Sequence, residues 1–527
     1  MKVPRLRYFL PSWKNVLLAT ASAGLLILSF PDFELWYLAW FALMPLMWAV
    51  ARESPSTAKA FVLGWIFGIT FFFGACWWLT YAPITYAGFP PVLAYLLLFC
   101  VTAVVGLWPA IFAGSLSVLI RRYGAAAILA APFVWTATEF GRFWTAGNSW
   151  NAIGYSQAFQ GEVLGLAGFG GVYLVSFAVV TFSAFLLWSN LLLIFAPDKR
   201  RVAIVIAAFW ILFSIVTTYR LPSQHPTPTT DARPGPKVVA VQPNVPMADL
   251  NFQKWQDLRK RQTEMAEVEI RKITQYSDGP ITVILPESPM NFMYDEDQEF
   301  QSFINGFARR NNVSVLFNSA EPDAANKKYF NSAVLVGPEG IELGQYDKIY
   351  LLPFGEAVPG PLQSVVPAFV GSFSFGKEYD LLPLGDHRAG VMICFESHFA
   401  DLSRRYVTDG ADVLIEMTND GYLGPTPVLR QHLANAVFRA VETSRPVLRV
   451  TNVGITAYID ERGNVREPAA PYTEDTRVWT VVASDQSRTF YVRYGDWFAW
   501  VCTVTTILLL VFGLRRQRLN VPAEAIR

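Results

Sequence analysis

The chain has 527 residues, of which 53% are hydrophobic, 15% aromatic and only 16% charged, well below the roughly 25% charged residues of soluble globular domains. That composition predicts a membrane protein, and a net charge of +1 excludes a global field that would gather nucleic acid. Cys76, Cys100 and Cys502 lie in apolar runs as small hydrophobes; with no CxxC or Cys/His cluster, structural zinc is excluded, and neither a metal nor a cofactor is expected.

In chain order, apolar stretches run over Val16 to Phe30, Leu35 to Ala51, Phe61 to Tyr81, Val92 to Ile120, Ala125 to Phe140, Val163 to Phe195, Val202 to Thr218 and Trp497 to Leu514. Most approach the ~20 residues that cross a ~30 Å hydrocarbon core, so eight spans are predicted. Cations cluster before the first span (Lys2, Arg5, Arg7, Lys14) and after the second (Arg52, Lys59), fourth (Arg121, Arg122), sixth (Lys199 to Arg201) and eighth (Arg515, Arg516, Arg518). The positive-inside rule then places the N-terminus in the cytoplasm and the long segment between spans seven and eight outside it, in the periplasm of a bacterium. The first run lacks a small-residue cleavage site and reads as a retained anchor.

The predicted organisation is a transmembrane domain of about seven helices over residues 1–220, a Pro-rich linker over 221–236, a soluble domain over 237–493, a last helix over 494–514 and a cytoplasmic tail over 515–527. The soluble domain alternates short β-branched runs ("KVVAVQPNV", "ITVILPESP", "VSVLFNSAEP", "AGVMICFES", "ADVLIEMTND") with polar helical stretches, which reads as α/β. "NSAVLVGPEGIELGQYDK" and "RVTNVGITAYIDERGNVRE" each read as two strands joined by a Gly-containing turn. Apolar strands that end in polar residues place chemistry where the strands stop, and Glu287, Cys394 and Asn419 sit at such ends.

Cys394 is the single cysteine of the soluble domain. A thiol becomes a strong nucleophile only as thiolate, so it needs a base or a cation beside it. The histidines are His225, His387, His398 and His432, with His398 at four residues past the cysteine; a Cys/His pair is one reading. "ILPESP" offers another base, Glu287, held between two prolines, and "YDKIYLLPFGEAVPG" offers a cation, Lys348, and a second carboxylate, Glu356. Singly, each of these residue types is most often surface or core.

Together, in the order Glu, Lys, Cys, they resemble the nitrilase superfamily, and seven spans before such a domain with one after it are similar to its membrane-integrated branch, the apolipoprotein N-acyltransferase family. The resemblance covers essentially the whole chain and is carried by "LPES" (285–288), "YDKIYLLPFGEAVP" (346–359), "ICFE" (393–396), "TNDGYLG" (418–424), "RPVLRVTNVGITA" (445–457) and "GYSQ" (154–157). It implies a multi-span α-helical membrane domain joined to an αββα sandwich, with Glu287 as general base, Lys348 as polarising cation and Cys394 as nucleophile. Glu356, Glu396, Phe395 and Asn419 are its supporting residues; Glu396 is expected to help order the site, with a surface carboxylate as the alternative. Phe395 stands where the family usually has Tyr, "NDGYLG" where it often has "NDAWFG", and "QPNVPMADLNFQKW" leaves the family's functional Trp unplaced unless an insertion makes it Trp255.

The implied activity transfers a fatty acyl chain from a phospholipid, usually phosphatidylethanolamine, through a Cys394 thioester to the N-terminal amine of an S-diacylglyceryl-cysteine apolipoprotein, in the bacterial inner membrane. The expected partners are that donor, that acceptor and the membrane, with no nucleic acid. The apolar segments "PMNFMY" after Glu287 and "GPTPVL" after Tyr422 are either lipid-facing lids or ordinary loop hydrophobes. A membrane-tethered carbon–nitrogen hydrolase, an amidase or nitrilase, is the alternative reading. A transporter would place charges inside its spans, and only Glu139 and Arg142, at a span edge, come near.

Overall fold

The computed structural model describes residues 9–31, 33–195, 235–277, 279–287, 289–290, 292–353, 355–358, 373–482 and 487–515, with Val202, Ile204, Ile206 and Ala208. The expected span 202–218, the linker 221–236 and the tail 515–527 fall almost wholly outside these. The chain divides into two compact units, one of residues 1–224, 426–431 and 494–527, the other of residues 225–425 and 432–493.

In the first unit, four helical runs among the described residues are long and apolar enough to cross a membrane: Thr57–Ala75, Pro91–Thr145, Ala167–Leu192 and Trp497–Arg515. Trp13–Ser29 is a shorter apolar helix, started by Ser12, whose Oγ accepts from the Asn15 N–H. The stretch read as one span over Val92 to Ile120 is instead two helices, Pro91–Val105 and Leu107–Tyr123, broken at Gly106. The reason is a close approach of backbones: a Cβ on Gly68 would lie 2.7 Å from the Gly106 Cα.

Glu139 and Arg142 are not at an edge but buried in the helix Ala131–Ala146. Arg142 donates to the carbonyls of Trp150 (2.7 Å) and Ser149 (3.4 Å), and Glu139 accepts from the Ile153 N–H (2.9 Å) and the Trp135 indole (3.2 Å). These bonds satisfy backbone groups of Ser149, Trp150 and Ile153, leading into the 3-10 helix Ile153–Gln157 that contains "GYSQ", as backbone among apolar helices requires. The pair has a structural task, so it does not point to a transport path.

The second unit holds thirteen described strands in two mixed sheets. The first contains β1 (Lys237–Gln242), β2 (Ile281–Ile284), β3 (Ser314–Asp323), β4 (Lys328–Val336), β5 (Glu342–Asp347) and β6 (Phe373–Ser374). The second contains β7 (Leu381–Leu384), β8 (His387–Ile393), β9 (Val413–Thr418), β10 (Val447–Thr451), β11 (Ala457–Ile459) and β12 (Val465–Arg466), and β13 (Asp475–Thr480) returns to the first. The orders are β13-β1-β2-β3-β4-β5, with β6 beside β4, and β12-β11-β10-β9-β8-β7. β1, β2 and β3 pair in parallel, as do β8, β9 and β10, and these central strands are nearly all buried, as sheets covered on both faces require.

The "NSAVLVGPEGIELGQYDK" run forms the expected antiparallel pair β4–β5. "RVTNVGITAYIDERGNVRE" makes three strands rather than two, because β11 pairs with both β10 and β12. Helices Phe252–Ile273 and Gln298–Asn311 bury Met265, Ala266, Ile270, Phe300, Ile304 and Phe307 against the first sheet. Helix Ala400–Thr408 packs on the second sheet, where the Tyr406 hydroxyl donates to the Val391 carbonyl (2.7 Å). Buried amides join the two sheets: Gln242 at the end of β1 accepts from the Thr451 hydroxyl on β10 (3.1 Å), and Asn452 accepts from the Val245 N–H (2.7 Å) and donates to its carbonyl (2.9 Å). The result is an α/β sandwich of the αββα type.

Candidate active site

Three strand ends supply the reactive groups. Glu287 follows β2, Lys348 follows β5 and Cys394 follows β8. Lys348 is buried, with Nζ 2.8 Å from both Glu356 oxygens and 3.8 Å from Glu287 Oε1. Asn331 on β4 donates through Nδ2 to Glu287 Oε1 (3.1 Å) and Glu356 Oε1 (2.6 Å), so one amide spaces the two carboxylates. The Asn419 N–H donates to Glu287 Oε2 at 3.1 Å, and the charges of Glu287 and Lys348 both act on the Cys394 thiol. Cys394 itself has φ +53°, the left-handed region that a residue with a Cβ seldom occupies.

Burial sets the resting charges. It pushes the Cys394 thiol well up, and the Glu287 carboxylate adds to this more than the Lys348 charge subtracts. Burial also raises the Glu287 carboxyl, against the opposing pull of Lys348. For Lys348 burial acts downward, but Glu356 and Glu287 outweigh it and raise the ammonium above its ordinary range. The site therefore rests as a protonated thiol beside a fixed cation, with a carboxylate whose basicity is lifted above its ordinary value, which suits a group placed to take a proton.

Glu396 is fully buried, which excludes the surface-carboxylate alternative. Its Oε1 accepts from the Tyr346 hydroxyl (2.7 Å) and the N–H groups of Ile349 (2.7 Å) and Tyr350 (3.0 Å), and its Oε2 from the Ile393 N–H (2.8 Å). Burial pushes this carboxyl up to about 7, opposed by those donors and by Lys348. Phe395 is half-buried and meets Phe399 edge-on at 5.2 Å. Asn419 is buried; its Oδ1 accepts from the Gly421 N–H and Asn452 Nδ2, both at 3.2 Å, and its Nδ2 reaches Met247 Sδ at 3.3 Å.

The proposed lids are corrected. Met290, Phe292 and Tyr294 of "PMNFMY" are 3–4% exposed and fill the core of the first sheet, and Val428 and Leu429 of "GPTPVL" are buried too. Trp255 donates its indole N–H to the Met290 carbonyl (2.8 Å) and packs on Phe292. The Cys/His reading fails for His398, whose Nδ1 is bonded to the Phe395 carbonyl at 2.8 Å and whose burial pushes its pKa well below the ordinary histidine value. Among the described residues no group of three or more His, Cys, Asp or Glu side chains could hold a metal ion.

Two features were missed from sequence. Asn331 sits in the interior of β4, where a polar residue in an apolar run was the available signal. The other is a buried charged cluster of Glu416, Asp420, His432 and Arg449. Arg449 reaches Glu416 Oε1 at 2.5 Å and Asp420 Oδ2 at 2.8 Å, and His432 reaches Asp420 Oδ1 at 2.7 Å and Glu416 Oε1 at 3.0 Å. Glu416 and Arg449 each interrupt an otherwise apolar strand, a pattern that demands a buried partner.

Residues 22–185 match the family model for the apolipoprotein N-acyltransferase N-terminal domain, and residues 238–489 match the carbon–nitrogen hydrolase model. With the helices and the two-sheet sandwich, these define a membrane-integrated member of the nitrilase superfamily. A curated apolipoprotein N-acyltransferase of Geobacter metallireducens is 32% identical, covering 96% of each chain. Those of Pasteurella multocida and Thermotoga maritima are 28% and 29% identical, covering 94% and 96% of this chain and 95% of their own. The chain belongs to the apolipoprotein N-acyltransferase family.

Proposed function

We propose that this protein transfers a fatty acyl chain from a membrane phospholipid, such as phosphatidylethanolamine, to the free α-amine of an S-diacylglyceryl-cysteine at the N-terminus of an apolipoprotein. The carrying observation is the gathering of three strand ends around one cation, with Lys348 beside Glu356 and Glu287 and Cys394 close enough to feel the charges of both Glu287 and Lys348. Glu287 takes the thiol proton as sulfur attacks the ester carbonyl, while the Lys348 ammonium and the backbone N–H at Phe395 steady the oxyanion. Collapse expels the lysophospholipid alkoxide, which recovers the proton from Glu287, and leaves an acyl thioester on Cys394. The lipoprotein amine then attacks; Glu287 takes the amine's proton and returns it to the departing thiolate as the amide forms.

Both substrates are anchored in a bilayer, and extraction would cost about 0.8 kcal/mol per CH₂; membrane integration avoids that cost. The distribution of cations along the chain supports residence in the bacterial inner membrane with the catalytic domain in the periplasm.

The test supplies labelled phospholipid without acceptor and weighs the intact protein. One fatty acyl adduct is expected, removable by neutral hydroxylamine, discharged by a diacylated lipopeptide but not by its N-acetylated form. Cys394→Ala should lack it, with turnover down by about 10⁴-fold or more. Ammonia released from simple amides, with no acyl transfer, would instead establish the membrane-tethered hydrolase.

A further inference from the structure

The left-handed turn at Cys394 (φ +53°) is strained for a residue with a Cβ and persists only where its surroundings hold it. The handle is its own carbonyl. That oxygen lies 3.2 Å from His432 Nε2 and accepts from Ser397 Oγ at 3.3 Å. His432 Nε2 is also 3.0 Å from Ser397 Oγ and 3.0 Å from Glu416 Oε1, so the carbonyl, the hydroxyl and this carboxylate share its N–H. On the other side of the ring, Nδ1 is fixed by Asp420 Oδ1 at 2.7 Å, and Asp420 is fixed by Arg449. Room for Asp420 is reserved: a Cβ on Gly454 would fall 2.2 Å from Asp420 Oδ2.

We propose that His432 is a positioning residue for the nucleophile: oriented by Asp420, it donates from Nε2 to the Cys394 carbonyl and holds the turn that aims the sulfur at Glu287. Both ring nitrogens are engaged in this, so the imidazole is not the base. Burial and Arg449 act to discharge the ring, but Asp420 and Glu416 outweigh them and lift His432 up to about 9, which keeps an N–H on both nitrogens at neutral pH. Its neighbour His398, with ring centres 5.0 Å apart, is driven neutral by burial and by that charge. This inference rests on the reading of Cys394 as acyl carrier.

The experiment follows single-turnover acylation of the full-length protein by labelled phospholipid in mixed micelles, without acceptor. The amplitude counts competent thiols and the rate constant reports their alignment. His432→Phe should keep most of the amplitude, lose about 10²-fold in rate constant, and leave the half-saturating phospholipid concentration unchanged. His432→Gln, which retains an N–H donor, should recover part of that loss. A wild-type rate constant with only the amplitude reduced would assign His432 a merely structural role and overturn the proposal. If His432→Phe does not fold, His432→Gln and Ser397→Ala decide: both should acylate more slowly at full amplitude, and wild-type rate constants in both would refute it. Adduct formation at full rate in Cys394→Ala would instead sink the acyl-carrier reading, whatever His432 does.

Discussion

The side chain of Cys394 meets one set of buried charges and its carbonyl meets another. At the sulfur, the single ammonium of Lys348 is shared by Glu287 and Glu356; at the carbonyl, the two cations Arg449 and His432 face the two carboxylates Glu416 and Asp420. Burial acts upward on Glu287, Glu416 and Asp420 alike, yet Glu287 ends above its ordinary value while Arg449 and His432 hold Glu416 down at about 2 and Asp420 below its own norm. The difference is one cation per carboxylate against one cation for two. A fully matched cluster is a fixed support, whereas a cluster short of one cation keeps a carboxylate able to take a proton.

The strongest way to break this contrast is Arg449→Met, which leaves two buried carboxylates with only His432. Removing one member of a buried pair costs about 3–5 kcal/mol, so chemical unfolding of the soluble domain in the intact protein should shift by that much. An unchanged midpoint would mean the cluster is not the support described. Lys348→Met should do the reverse: acyl transfer falls by about 10²- to 10³-fold while the unfolding midpoint barely moves, because Glu287, already raised by burial, can take up a proton. A folded variant with wild-type turnover would remove Lys348 from the chemistry.

Acid and base sharpen the contrast further. The Glu416 pKa is depressed from 4.5 to about 2 on folding, so its contribution is present above pH 4.5 and lost as pH falls toward 2. That of His432 is raised from 6.5 to about 9, so its contribution is complete below pH 6.5 and lost as pH rises through 9. The contribution of these two groups is flat between the arms, each on the order of 3 kcal/mol, whereas Glu396, raised from 4.5 to about 7, subtracts stability as pH rises through that window. His432→Gln should abolish the alkaline arm; an unaltered arm would show that another group is responsible.

Glu287 and Cys394 were legible because each follows an apolar strand, whereas Lys348 follows the polar strand β5 and stood out only through the family resemblance. The supports were not legible. Glu416, Asp420, His432 and Arg449 come from separate segments, and sequence carries no distance between them; only the oddity of a charge inside the runs "VLIEMT" and "VLRVT" pointed that way. "PMNFMY" misled for a related reason, since apolar side chains in a loop fill a core or face lipid equally well until the helix that covers them is placed. The break at Gly106 was hidden in the same manner: composition showed an unbroken apolar run, and the interruption depends on Gly68 of a neighbouring helix.

Glu396 bridges the two sheets. Its Oε2 is bound by Ile393, the last residue of a strand in the second sheet, and its Oε1 by Tyr346, Ile349 and Tyr350, around the end of a strand in the first. Cys394 and Lys348 thus follow strands of different sheets, and any slip of one sheet over the other would pass undiminished into the spacing of sulfur and nitrogen. One carboxylate with four donors acts as a gauge block between the two: its length is fixed by covalent bonds, so the reacting distance inherits a tolerance that side-chain packing alone would not provide.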